Sequence, residues 1–126
     1  MKAKKLEDLV VYLEALAAED EVSAMLERPG FSSDFDLKRQ LDRSSSRIGP
    51  LISEGFGQLT DRHLASYLGR ARGSASETCT HLRKAGRKKF ISAKEHNDLS
   101  AKYTTIGKRL TRWIQHLRRS NWKDRG

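Results

Sequence analysis

Leu99, Tyr103, Ile106, Leu110, Trp113, Ile114 and Leu117 return at intervals of three and four residues. An α-helix gathers residues so spaced onto one face, and a helix with one apolar face must bury it against other elements. The spacing predicts a helix over about 92–119. Ser92-Ala93-Lys94-Glu95 opens it as a capping box, in which each side chain accepts from the other residue's backbone N–H.

Three more segments carry the same period. The first, about 5–27, places Leu6, Leu9, Val10, Leu13, Leu16, Ala17, Met25 and Leu26 inward and ends at Pro29-Gly30. The second, about 34–54, carries Leu37, Leu41, Ser44, Ile48 and Ile52 on one side, with Ser33 or Asp34 as its cap. Pro50 falls inside it. An interior proline removes a backbone hydrogen bond and crowds the carbonyl four residues back, so a kink is expected near 47–50. A break is not expected, because the apolar period continues to Ile52. Gly55-Phe56-Gly57 reads as the stop.

The third, about 60–85, is capped by Thr60 and buries Leu64, Tyr67, Leu68, Ala71, Ala75, Thr78 and Leu82. Gly69, Gly73 and Ser74 make it thin. A mid-helix glycine costs about 1 kcal/mol relative to alanine, so close approach by a neighbouring helix is the expected compensation. Strand alternation and internal repeats are absent. Four such helices with short connections predict an all-α fold: an antiparallel up-down-up-down four-helix bundle with a kinked second helix, one domain over 1–126.

A chain of 126 residues buries roughly two-thirds of its unfolded surface, so neither disulfide nor metal is needed to hold it together. Cys79 is the lone cysteine, which excludes an internal disulfide and suits a reducing cytoplasm. The N-terminus lacks the apolar core of a secretory signal, and no apolar run approaches the roughly 20 residues that cross a bilayer. No membrane partner and no cofactor are expected.

Charge is uneven. The formal net charge is +9; residues 1–30 carry −3 and residues 63–126 carry +12. An acidic first helix and a basic second half favour polyanions, with nucleic acid foremost. On the fourth helix Lys102, Arg109, Arg112, His116 and Arg119 fall on one stripe, flanked by Lys108. The preceding turn adds Arg83, Lys84, Arg87, Lys88 and Lys89. The expected nucleic-acid-binding set is Arg83, Arg87, Lys88, Lys89, Lys102, Lys108, Arg109, Arg112 and Arg119, acting on phosphates without base specificity. The competing expectation is a solvated face, or a scaffold that docks an acidic protein partner.

Other constellations point away from catalysis. Tyr103, Trp113, Tyr67 and Phe35 sit on apolar faces and read as core. Trp122, in the basic tail, suits either base stacking or a subunit contact. Glu54-Gly55-Phe56-Gly57 lacks the Gly-Lys-Ser/Thr ending and the preceding strand of a phosphate loop. Glu77 and His81 share a face, but no second copy exists to complete a metal site. Cys79 reads as a packed thiol. Ser44, Ser45 and Ser46 have no relay partners and suit close helix packing.

The run Gln40, Leu41, Arg43, Ile48, Ile52, Glu54 and Gly55, with Gly73-Ser74 and Glu77 in the next helix and Phe90-Ile91-Ser92 before the last, resembles the four-helix-bundle proteins encoded within intervening sequences of bacterial large-subunit ribosomal RNA genes. Departures are Ser44, Ser45 and Ser53 at the family's alanines, Pro50 one position late, and Leu51 where relatives carry asparagine. The resemblance implies a bundle that assembles as a ring-shaped homopentamer. A related bundle is the accessory protein of diversity-generating retroelements, which binds nucleic acid and a reverse transcriptase. That parallel adds a nucleic-acid enzyme as a partner to be expected.

Overall fold

The computed structural model describes residues 9–119. They form α1 (Val10–Leu26), a 3-10 turn (Pro29–Ser33), α2 (Phe35–Phe56), α3 (Asp61–Arg87) and α4 (Ala93–Arg119). The helices pack in the cyclic order α1–α2–α3–α4. The α2/α3 and α3/α4 interfaces are the most extensive, and α1/α4 is the slightest of the four. No strand occurs among the described residues.

Local chemistry fixes where the helices start. Asp34 accepts from the Leu37 backbone N–H at 3.1 Å, and Thr60 accepts from His63 N–H at 3.2 Å. At α4 both halves of the capping box are made: Ser92 N–H donates to Glu95 Oε1 at 2.9 Å, and Glu95 N–H donates to Ser92 Oγ at 3.1 Å. Each contact satisfies a donor that the first helical turn leaves open. α3 ends differently. Phe90 N–H reaches back to Ala85 O and Lys89 N–H to Gly86 O, both at 3.0 Å. Lys89 adopts φ 64°, in the left-handed position that helix ends usually give to glycine.

The core of α2, α3 and α4 holds the residues the periodicity selects, with Leu37, Leu41, Ile48, Ile52, Leu64, Leu68, Leu82, Ile106 and Leu110 at most 2% exposed. Tyr67 and Trp113 are partly buried against it. Ser44 and Ser45 are buried too, and their hydroxyls donate to the carbonyls of Leu41 and Asp42. Thr78 bridges the α2–α3 seam, its hydroxyl 2.9 Å from Ser44 Oγ and 2.8 Å from Ser74 O. α2 passes through Pro50 unbroken.

Three expectations are corrected. In α1 the buried face is Val11, Ala15, Ala18, Val22 and Met25, spaced four and three, whereas Val10 and Leu13 are 53% and 49% exposed. The helix is apolar on several sides, so more than one stripe fits its sequence. The stripe that packs inward carries the small residues Ala15 and Ala18 between Val11 and Val22. Phe35 is not core. It stands 67% exposed at the start of α2, with the Arg39 guanidinium 6.0 Å from its ring centroid.

The Gly55-Phe56-Gly57 stop is where α2 ends, at Phe56 with Gly57 as its C-cap, and Gly55 is buried in the last turn. A Cβ there would lie 2.8 Å from Tyr67 Cβ and 3.2 Å from Leu64 Cδ1, so glycine is what lets α2 and α3 meet. Conversely, no atom of the described residues lies within 4 Å of a Cβ built on Gly69 or Gly73, so these two receive no neighbouring helix among them.

Candidate nucleic-acid interface

The α1/α4 seam carries a charge ladder. Arg109 Nε lies 2.7 Å from Glu14 Oε1, and Lys102 Nζ donates to Glu21 Oε2 at 2.5 Å. One rung further, Arg28 grips Glu95 through both carboxylate oxygens, with Nη1 to Oε1 at 2.9 Å. The first two rungs are seven residues apart on both helices, as antiparallel packing at a heptad period requires, and Arg28 adds the third from the turn after α1. The third rung is reversed in sign. Glu95 is held down to about 2 by the Arg28 guanidinium and the Ser92 backbone N–H.

Two members of the expected phosphate-binding set, Lys102 and Arg109, are therefore answered by α1. A third, Lys88, pairs with Asp34, whose carboxyl is pulled below its usual range by that ammonium and by the Leu37 N–H. These three correct the expectation of a single unneutralised strip. Arg83, Arg87, Lys89, Lys108, Arg112 and Arg119 are exposed and make no ion pair among the described residues. Lys108 and Arg112 stand on the side of α4 that faces α3, beside Arg72, whose Nη1 donates to Thr111 Oγ1 at 3.3 Å. Arg72 was not among the expected contacts. It lies mid-helix between small residues, and only the pairing of α3 with α4 puts it near Arg112.

The same two helices bury polar groups. Tyr103 is 1% exposed, and neither its hydroxyl nor the Ser100 hydroxyl finds a hydrogen-bond partner among the described residues. Burial, together with Glu19 and Glu21, pushes the Tyr103 hydroxyl well above the usual tyrosine range. Cys79 is half-buried with Sγ 3.9 Å from Ser100 O, and desolvation raises its thiol, which disfavours the nucleophilic thiolate. Burial lowers His81. Among the described residues no three His, Cys, Asp or Glu gather as metal ligands. Trp122 lies outside the described residues.

The profile of the 23S rRNA-intervening sequence protein family matches residues 7–112. The chain belongs to that family. A solved structure of similar fold is that of a protein of unknown function from the S23 ribosomal protein family of Bacteroides thetaiotaomicron, at 1.70 Å resolution. It superposes with TM-score 0.76 over 83% of this chain and 98% of that one, at 21% identity. At this identity the likeness is one of fold. No curated protein matches the chain.

Proposed function

We propose that this protein is a non-catalytic module that holds RNA or DNA by its phosphate backbone. The observation that carries the reading is the division of charge on α4: Lys102 and Arg109 are paired with α1, while Lys108, Arg112 and Arg119 are exposed and have no ion-pair partner among the described residues. Arg83, Arg87 and Lys89 extend the unpaired set to the end of α3. Guanidinium and ammonium groups left without internal counter-charges displace condensed counterions from a nucleic-acid backbone, which gives affinity with little sequence discrimination.

Binding rather than catalysis is supported by what the hydroxyls and thiol do. Ser44, Ser45 and Ser46 are engaged with backbone carbonyls, and Cys79 is held as a thiol. No helix among the described residues is long and apolar enough to cross a membrane, and a cytoplasmic setting fits the nucleic-acid role. Exposed Val10, Leu13 and Leu59 support assembly into a homo-oligomer, for which the family resemblance suggests a pentameric ring. It would repeat the cationic face on every subunit and raise avidity. A nucleic-acid enzyme could share that surface as a partner.

The test is fluorescence anisotropy with mixed-sequence RNA and DNA across a salt series. Binding should weaken linearly in log–log form as salt rises, and Lys108→Glu with Arg112→Glu should abolish it. Wild-type protein that ignores both nucleic acids at low salt overturns the reading and leaves the acidic-protein scaffold. Native mass measurement checks the ring.

A further inference from the structure

The two flanks of α4 are chemically opposite. The groove toward α1 is lined by Glu14, Glu21 and Asp98 beside Lys102, so its cation is neutralised where it stands. The groove toward α3, about 660 Å³, has no carboxylate among the described residues of its lining. Its polar side chains are guanidinium, ammonium, hydroxyl and one amide, and nearly all of them can donate. Arg72 forms one wall, and Lys108 and Arg112 stand on the other. The Arg72 contact to Thr111 Oγ1 at 3.3 Å holds the guanidinium across the groove instead of leaving it loose in solvent.

Gly107 lines the groove from inside α4, and no atom of the described residues is within 4 Å of a Cβ built on it. Glycine disfavours a helix interior, and no packing inside the chain requires it at this position. What it supplies is depth: the space between Arg72 and Arg112 stays open down to the helix backbone.

We infer that the α3–α4 groove seats one sugar–phosphate strand, with Arg72 and Arg112 reaching its phosphates from opposite walls and Gly107 leaving room for the backbone to sink between the helices. This rests on the nucleic-acid reading above and adds to it the path of the strand and two residues, Arg72 and Gly107. Phosphate oxygens are acceptors only, and a lining rich in donors and free of carboxylate complements them. A single strand and one edge of a duplex offer the same chemistry.

The experiment measures anisotropy at one low salt concentration with a labelled mixed-sequence RNA, single-stranded and as a duplex. The variants are Gly107→Leu, Arg72→Gln and, as control, Gly73→Leu. Gly73 is exposed, equally free of neighbours and outside the groove lining. Both glycine variants keep the net charge and raise helix propensity, so they should fold, which melting by circular dichroism verifies.

Gly107→Leu and Arg72→Gln should each weaken binding roughly tenfold, while Gly73→Leu binds as wild type. Loss confined to the single-stranded RNA identifies a free strand as the occupant, and loss with the duplex identifies a duplex edge. Wild-type affinity in both Gly107→Leu and Arg72→Gln overturns the groove path while leaving the nucleic-acid reading intact. No binding by the wild-type protein removes both.

Discussion

Arg109 and Glu14 are joined across the α1/α4 seam at 2.7 Å, and this contact takes from α4 a cation that its own helix would otherwise present outward. Lys102 and Glu21 repeat the arrangement one heptad away. The acidic first helix therefore sets how much of α4 a polyanion can reach.

Replacing both acids, Glu14→Gln with Glu21→Gln, should free Lys102 and Arg109 and tighten nucleic-acid binding severalfold at low salt, with a steeper salt dependence. Because the pairs are partly exposed, the double variant should lose only about 1 kcal/mol of stability. Anisotropy and urea titration on the same samples check both halves. Unchanged affinity would mean that α1 does not mask these cations.

Tyr103→Phe removes a hydroxyl that is buried and has no partner among the described residues. A buried polar group without a partner carries its desolvation penalty into the folded state. The variant should gain about 1 kcal/mol, read as a higher urea midpoint at unchanged slope. A loss of stability would place a bound water or another partner at that hydroxyl.

Lys89 occupies left-handed backbone at the end of α3. Such geometry costs a residue with a Cβ about 1 kcal/mol or more. Lys89→Gly should raise the melting temperature and, by removing one of the unpaired cations, weaken polyanion binding slightly. Thermal melts and anisotropy report the two effects separately.

The Glu95 carboxyl titrates at about 2, against an ordinary 4.5. A folded-state pKa below the unfolded one means that the stabilisation is complete above about pH 4.5 and disappears as pH falls toward 2. Wild type should lead Glu95→Gln in stability at neutral pH, and the lead should vanish across that interval. Urea unfolding of both proteins at stepped pH measures it. A constant difference from neutral pH to pH 2 would contradict the pairing with Arg28.

Much of the architecture is legible in the sequence because it depends on neighbours in the chain. Asp34, Thr60 and the Ser92–Glu95 box act within one helical turn, and the stripe from Leu99 to Leu117 has one consistent phase. α1 is harder to read because alanine and larger apolar residues surround it, so Val10 and Leu13 compete with Val11 and Ala15 for the inner face. The Gly55-Phe56-Gly57 end of α2 is legible, but that Gly55 also makes room for Tyr67 shows only once α2 and α3 pack. The site is less legible still. The composition shows the basic second half, but whether a given cation is free depends on register. Nothing near Lys102 or Arg109 announces Glu21 or Glu14, and nothing near Arg72 announces Arg112.

The inverted rung, Arg28 with Glu95, has a consequence for how the bundle closes. A slide of α4 by one heptad in one direction would set Arg28 against Lys102. A slide in the other would bring Glu21 up against Glu95. Either misalignment forces two like charges together, so a seam with the slightest contact in the bundle still has only one alignment in which every facing charge is answered.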